Sequence, residues 1–431
     1  MEYERPYSLN RKNGKSLMLE LDNAAKIFPS TLGPKQHHMY RLSAKLRDSV
    51  DPEILQRALD ITIHRFPSIA ACLRRGVFWY WLESVEAAPS VDAESPYKMR
   101  GSKTEFKKCC FRILYGGQGI SAEFFHGICD GGGAMVFFKT LLAEYLEEKY
   151  PVRIPCVKGV LNRQESPRME EIEDCYPKYA GSVGASRSFA RSYRIPGTVE
   201  EDGKLHILHI SMDVDNVRTH AKAYGLSLTE FLAAALAVSL MDLQRSTPVK
   251  REKPIFIAIP VNLRKLFGCS TLRNFSLSVT VGLNPCQGEW SLAEAGKRIH
   301  HQMAMLITKK EMEANIAANV QIEGVTTFRW LPLFLKNFLM KGAYSLFGVN
   351  SCCLSLSNMG VVELPEEMVP YVEEVGCCMD ANPRSTNSCA VLSYNGKLHI
   401  QFARSIKEQE LEWRFVKTLT DLGLAVALEE V

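Results

Sequence analysis

Hydrophobic and polar positions alternate most cleanly from Met39 to Leu46, where Tyr40, Leu42, Ala44 and Leu46 share one face and Arg41, Ser43 and Lys45 the other. A period of two predicts a half-buried strand. Asp51-Pro52-Glu53 follows, an N-cap aspartate with proline at the first helical position. Leu55, Ala58, Leu59 and Thr62 then form the inner face of a helix ending before Pro67. Val77 to Leu82 (VFWYWL) reads as an aromatic strand. Cys109 to Tyr115 and Ile120 to His126 flank Gly116-Gly117-Gln118-Gly119 and predict a hairpin. After three glycines, Ala134, Phe137, Phe138, Leu141, Leu142 and Tyr145 keep the spacing of an amphipathic helix that ends near Lys149, ahead of Pro151.

Between Pro151 and Gly203 the pattern dissolves into prolines and mixed charge, as in a crossing segment between domains. Regularity resumes with a strand at Leu205 to Met212 and helices at Val214 to Tyr224 and Leu228 to Leu243. Strands Ile255 to Val261 and Phe275 to Leu283 and a helix at Leu292 to Thr308 come next. Further strands are predicted at Cys353 to Ser357 and Tyr371 to Cys377. Ala390 to Tyr394 and Leu398 to Phe402 pair around Asn395-Gly396, the strongest hairpin signal in the chain. Leu411 to Leu424 closes as a helix. Strands and helices on both sides of the linker predict an α/β (α+β) protein with mixed sheets: one lobe over 1–180, a crossing linker over 181–203 and a second lobe over 204–431.

Composition narrows the function. The 431 residues are 46% hydrophobic, enough for two cores, and a net charge of +4 with no Lys/Arg block leaves no footprint for nucleic acid. Met1 to Leu21 lacks the apolar core of a signal peptide, so a cytoplasmic protein is expected. Trp330 to Gly348 (WLPLFLKNFLMKGAYSLFG) is barely long enough for a bilayer core of about 30 Å. It carries Pro332, Lys336, Asn337 and Lys341 and is expected as a buried helix with a polar stripe, with no membrane span. Thirteen cysteines include the adjacent pairs Cys109-Cys110, Cys352-Cys353 and Cys377-Cys378 but no CxxC, so reduced, mostly buried thiols are expected.

The chemistry concentrates in FFHGICDGGG, Phe124 to Gly133. Strand parity puts Ile120, Ala122, Phe124 and His126 on one face and Ser121 and Glu123 on the other. His126 is the last residue of what reads as the buried face, and burial without a fixed negative partner favours the neutral, proton-accepting imidazole. On residue types alone, a satisfied strand-end histidine with Asp130 as a helix N-cap is the competing reading. A metal site at His126, Cys129 and Asp130 lacks a second ligand cluster, so no metal is expected. The adjacent pairs His37-His38 and His300-His301, and His206 and His209 on opposite strand faces, add little. Asn274-Phe275-Ser276 matches a glycosylation sequon.

His126-Gly-Ile-Cys-Asp130-Gly131 resembles the HxxxDG signature of the CoA-dependent acyltransferase superfamily, which includes chloramphenicol acetyltransferase, plant BAHD enzymes and peptide-synthetase condensation domains. Leu59 to Arg74, Leu226 to Leu240, Pro260 to Arg264 with Asn274-Phe275, and Ser357 to Gly360 resemble other family segments in the family's order. The likeness is greatest to bacterial alcohol acetyltransferase-like and polyketide-associated acyltransferases. Phe125 stands where condensation domains carry a first histidine, and the DFGWG motif of BAHD enzymes is absent.

The resemblance implies two related chloramphenicol-acetyltransferase-like lobes with a tunnel between them. It implies acyl transfer from acyl-CoA, a co-substrate rather than a bound cofactor, to an alcohol acceptor, with His126 as general base. Asp130 would hold the loop by pairing with Arg264, and Gly131 would allow close packing. Ser357 and Asn358 would stabilise the oxyanion or position substrate. Two alternatives stand beside this: condensation with an amine or hydroxyl acceptor from an acyl-carrier-protein thioester, and a catalytically silent, tunnel-bearing binding protein.

Overall fold

A computed structural model describes residues 16–184, 191–247, 251–324, 330–344 and 351–430. Residues 1–15, 185–190 of the expected linker and 345–348 of the Trp330–Gly348 segment lie outside that set. Local rules account for most elements. The Asp51 carboxylate accepts from the N–H groups of Glu53 (2.9 Å) and Ile54 (3.1 Å) and starts the helix Pro52–Thr62, whose buried face is Leu55, Ala58, Leu59 and Thr62. Asn395 and Gly396 both take positive φ (47° and 76°), the geometry that a two-residue hairpin of natural twist requires.

With strands numbered β1 to β15 along the chain, the first-lobe sheet runs β12 (Val372–Met379), β2 (Met39–Leu46), β7 (Gly119–Phe125), β6 (Phe111–Gly116) and β5 (Asp92–Ala93). The second-lobe sheet runs β10 (Ser276–Leu283), β9 (Ile255–Asn262), β11 (Leu354–Val361), β13 (Asn387–Tyr394), β14 (Lys397–Arg404), β8 (His206–Asp213) and β15 (Ala427–Glu430). Both are mixed: β11 pairs in parallel with β9 and β13, and β5 with β6, while their other neighbours are antiparallel. A small antiparallel sheet joins β1 (Met18–Glu20), β4 (Tyr80–Ser84) and β3 (Ala71–Arg75). Two hydrophobic cores result, and the one under the first-lobe sheet also takes in residues of β12, β13 and β14. β12 lies far along the chain yet pairs with β2, so the C-terminal part of the chain lends a strand to the first sheet.

Three expectations are modified. The aromatic strand begins at Tyr80 rather than Val77, because Gly76 to Trp79 make the turn between β3 and β4, closed by the Gly76 N–H on the Trp79 carbonyl (2.9 Å). The Ser121/Glu123 face of β7 is buried as well: Glu123 accepts from Arg41 Nη1 (3.0 Å), Arg112 Nε (2.8 Å) and the Met99 N–H (2.9 Å). The third concerns the segment expected as a buried helix, which forms the helix Leu333–Ala343 with its faces reversed. Lys336 is fully buried, its Nζ 3.6 Å from the Trp79 ring centroid and donating to the Phe78 carbonyl at 3.0 Å. Asn337 accepts from Ser30 Oγ (2.8 Å) and donates to Tyr80 OH (3.2 Å). Leu333 is buried beside them, but most of the apolar side chains point outward, with exposure rising from 41% at Leu335 and 51% at Leu339 to 63% at Phe334 and 76% at Phe338. Lys336 and Asn337 of the polar stripe take the interior because each meets a partner there, while Lys341 of the same stripe stays exposed.

Among the described residues no single helix is long and apolar enough to cross a membrane. The bent pair Val214–Ala223 and Leu228–Ser246 passes on length and composition together, but its apolar residues are largely second-lobe core. All thirteen cysteines are free, most of them buried.

Candidate active site

β7 stops at Phe125 and a 19-residue helix starts at Gly131, so 126–130 form the corner between them. Asp130 is that helix's N-cap, its Oδ1 accepting from the N–H groups of Gly132 (3.1 Å) and Gly133 (3.2 Å). Its Oδ2 turns to the second lobe and accepts from Arg264 Nη1 (2.8 Å) and the Phe275 N–H (2.8 Å). Burial alone would raise the Asp130 carboxyl, but the Arg264 charge and these hydrogen bonds outweigh it and hold the group below its ordinary range. Arg264, in turn, donates from Nε to the Thr271 carbonyl (2.6 Å) and from Nη2 to the Arg273 carbonyl.

The same second-lobe loop seats the rest of the corner. Asn274 Nδ2 donates to the His126 carbonyl (3.0 Å) and to Asp22 Oδ2 (3.0 Å); it is almost wholly buried, a structural residue rather than an accessible sequon. Gly133 lies so close to this loop that a Cβ there would sit 1.9 Å from the Leu272 carbonyl oxygen. Between the lobes, the Leu272 N–H donates to the Glu171 carbonyl (2.8 Å), and Glu171 receives two bonds from buried Arg65 (2.6 and 2.8 Å).

His126 extends the β2–β7 ladder by one step, its N–H donating to the His38 carbonyl at 2.9 Å. His126 is half-buried, its imidazole stacking on Phe28 (5.3 Å between centroids) and tilting against Tyr40 (4.5 Å), whose hydroxyl donates to the Cys129 carbonyl (3.0 Å). Burial lowers its pKa to about 4, against weaker opposition from the Asp130 charge and the Asn274 side chain. The ring is therefore neutral near pH 7, and its buried Nδ1 has no hydrogen-bond partner among the described residues.

Opposite stands a second histidine. His38 takes a left-handed backbone (φ 52°), bonds Thr31 Oγ1 through Nε2 (2.7 Å) and shares the Phe28 ring (5.1 Å). Burial and the neighbouring His126 lower its pKa to about 3. Its N–H donates to Asp380 Oδ2 (3.2 Å), a carboxyl that burial raises to about 7. A cavity of about 810 Å³ opens beside Thr31, lined also by Gln36, Phe338, Lys341, Asn382 and Arg384.

Of the residues singled out in the sequence, His126, Asp130, Gly131 and Arg264 converge at the corner. Gly131 packs on Met359, whose Sδ would lie 2.6 Å from an added Cβ. Asn358 turns into its own lobe, donating to Thr229 Oγ1 (2.9 Å) and accepting from the Gly360 N–H (2.8 Å). Ser357 stands on β11, two residues before Met359. Sequence reasoning passed over His38, Tyr40, Phe28 and Asp380. The one available signal was register: once β2 pairs with β7 antiparallel, His38 falls opposite His126. Among the described residues no group of three or more His, Cys, Asp or Glu stands close enough together to hold a metal.

No family model matches the chain, and no curated protein matches it in sequence. Solved structures do match. TRI101 from F. graminearum, complexed with coenzyme A and T-2 mycotoxin, aligns with a TM-score of 0.63 at 10% identity over 96% of this chain and 99% of its own. The trichothecene 15-O-acetyltransferase TRI3 from Fusarium sporotrichioides aligns with a TM-score of 0.62 at 9% identity, covering 96% of each. The first condensation domain of the CDA synthetase gives 0.58 at 14% identity over 96% of this chain and all of that domain (100%). By its fold, the chain takes the two-lobed architecture that CoA-dependent acyltransferases share with condensation domains.

Proposed function

We propose that the protein is an acyltransferase carrying an acyl group from an acyl-CoA thioester to an alcohol, with His126 as general base. The observation that carries this reading is the state of His126: neutral through burial and set on a corner held from both lobes. The fold shared with a 15-O-acetyltransferase and with a protein solved in complex with coenzyme A supports the reaction class. The lobes are taken as 1–180 and 204–431, joined by 181–203.

In the proposed step the imidazole takes the acceptor hydroxyl proton as the oxygen attacks the thioester carbonyl, and the carbonyl electrons move onto its oxygen. Collapse of that intermediate breaks the C–S bond, and the imidazolium returns the proton to the departing thiolate. General-base assistance of this kind contributes about 10²–10⁴-fold. Asp130 takes no part in proton transfer, since both of its oxygens are engaged in the fold. Ser357 is the better oxyanion candidate, because the Asn358 amide is already bonded within its own lobe.

The test is free-thiol release from a panel of acyl-CoA donors with alcohol and amine acceptors, using His126→Ala as the blank. Acceptor-dependent release by wild type and none by the variant is expected; equal release by both would refute the base assignment. A parallel arm with acyl-carrier-protein thioesters separates CoA chemistry from condensation chemistry, which the likeness to a condensation domain keeps as the second reading.

A further inference from the structure

The reversed helix Leu333–Ala343 leaves an apolar surface that neither core uses. Trp330, Phe334 and Phe338 follow one another at four-residue intervals along it, with Leu335 and Leu339 beside them, and all five are exposed. Exposed Val77 adjoins this surface: its carbonyl accepts from the Leu333 N–H (3.0 Å), and Phe78 meets Trp330 edge-on (5.4 Å). The helix is not loosely attached. Lys336 and Asn337 fix its inner side with directed bonds, so the outward orientation of the aromatic residues is specified. A contiguous apolar surface of this kind marks a binding face.

The flank of that face identifies the partner. Phe338 and Leu339 also line the cavity beside Thr31, together with Lys35, Lys341 and Arg384, and among the described residues that line it none is a carboxylate. Aromatic and leucine side chains beside exposed cations make the pattern of a helix lying in a membrane interface, its rings among the acyl chains and its cations at the headgroups. A second copy of the chain fits less well, because a two-fold contact would set this cationic flank near its own copy. We propose that this face docks on a bilayer containing anionic lipid, with the cavity mouth turned to the membrane surface. The proposal does not depend on the acyl-transfer reading.

The test is flotation of the full chain with unilamellar vesicles, one set of phosphatidylcholine alone and one containing about a third phosphatidylglycerol. Wild type is expected to float with the anionic vesicles and to dissociate as salt is raised. Phe334→Asp/Phe338→Asp should reduce the bound fraction at least about tenfold, and Lys35→Glu/Lys341→Glu should abolish the preference for anionic lipid. These side chains are exposed, so thermal melts of the variants should match wild type. Wild type left unbound by both vesicle sets overturns the proposal, as does unchanged binding by the aromatic double variant. Equal binding to both sets overturns the anionic assignment. A lipid-free dimer that the double variant dissociates assigns the face to self-association instead. Vesicle binding is read without turnover, so its failure and failure of the acyltransferase reading are separate results.

Discussion

Arg264 Nη1 and Asp130 Oδ2 stand 2.8 Å apart across 134 residues of chain, joining the first lobe's motif to the second lobe. The pair is largely buried, and Asp130 completes its coordination with three backbone N–H groups.

Removing one partner of such a pair leaves an uncompensated charge. Arg264→Ala should therefore destabilise the fold by about 3–5 kcal/mol. Asp130→Asn keeps one oxygen for the cap but turns its amide donor toward Arg264 Nη1 and the Phe275 N–H, and should cost a similar amount. Urea unfolding of both variants and their double variant measures the coupling; additive effects would mean that the pair contributes nothing beyond its separate bonds.

Glycines 131 and 133 should differ in tolerance. An alanine at 133 meets the backbone of Leu272, which can yield only by parting the lobes, whereas one at 131 meets the flexible end of Met359. Gly133→Ala should cost at least the roughly 1–3 kcal/mol of ordinary overpacking, and Gly131→Ala less. Adding Met359→Ala should relieve the Gly131 variant and leave the Gly133 variant unchanged in thermal melts.

Asn274→Ala removes donors from the His126 carbonyl and the buried Asp22 carboxyl together. A loss of about 1–3 kcal/mol is expected from the unsatisfied acceptors. If the corner positions the base, thiol release should fall more steeply than the folded fraction at the same temperature; a parallel fall would make Asn274 purely structural.

Burial sets the pH response of the proposed base. An imidazole lowered from 6.5 to about 4 is still neutral where an exposed histidine is half protonated. Its contribution to stability is full above pH 6.5 and is lost as pH falls toward 4, because unfolding lets the ring take up a proton. The acid limb of kcat/KM should accordingly lie near pH 4–5 instead of 6.5, measured by thiol release on protein verified as folded. An inflection at 6.5 would mean that the working histidine is not buried as described.

Local order was well encoded. The Asp51 cap, the Asn395-Gly396 turn, the β6–β7 hairpin and the helix beginning at the glycines all depend on near neighbours in the chain, and periodicity and cap chemistry read them directly. The HxxxDG stretch was legible for the same reason: strand end, corner and helix cap are consecutive residues.

What the sequence by itself determined, then, was most of the regular elements, though not the helix Lys309–Gly324 or the edge strands β1, β5 and β15, together with the inward face of His126 and the N-cap role of Asp130, since each follows from periods of two or 3.6 residues and from hydrogen bonds a few positions apart. Tertiary structure alone decided that His38 faces His126, that Asn274 grips the corner and that β12 joins the first sheet. It also decided that the helix at 333–343 turns its lysine inward, because Lys336 and Asn337 find Phe78, Trp79, Tyr80 and Ser30 more than 250 positions earlier in the chain. Periodicity shows that a helix has two faces; only the partners brought against it choose which one is buried.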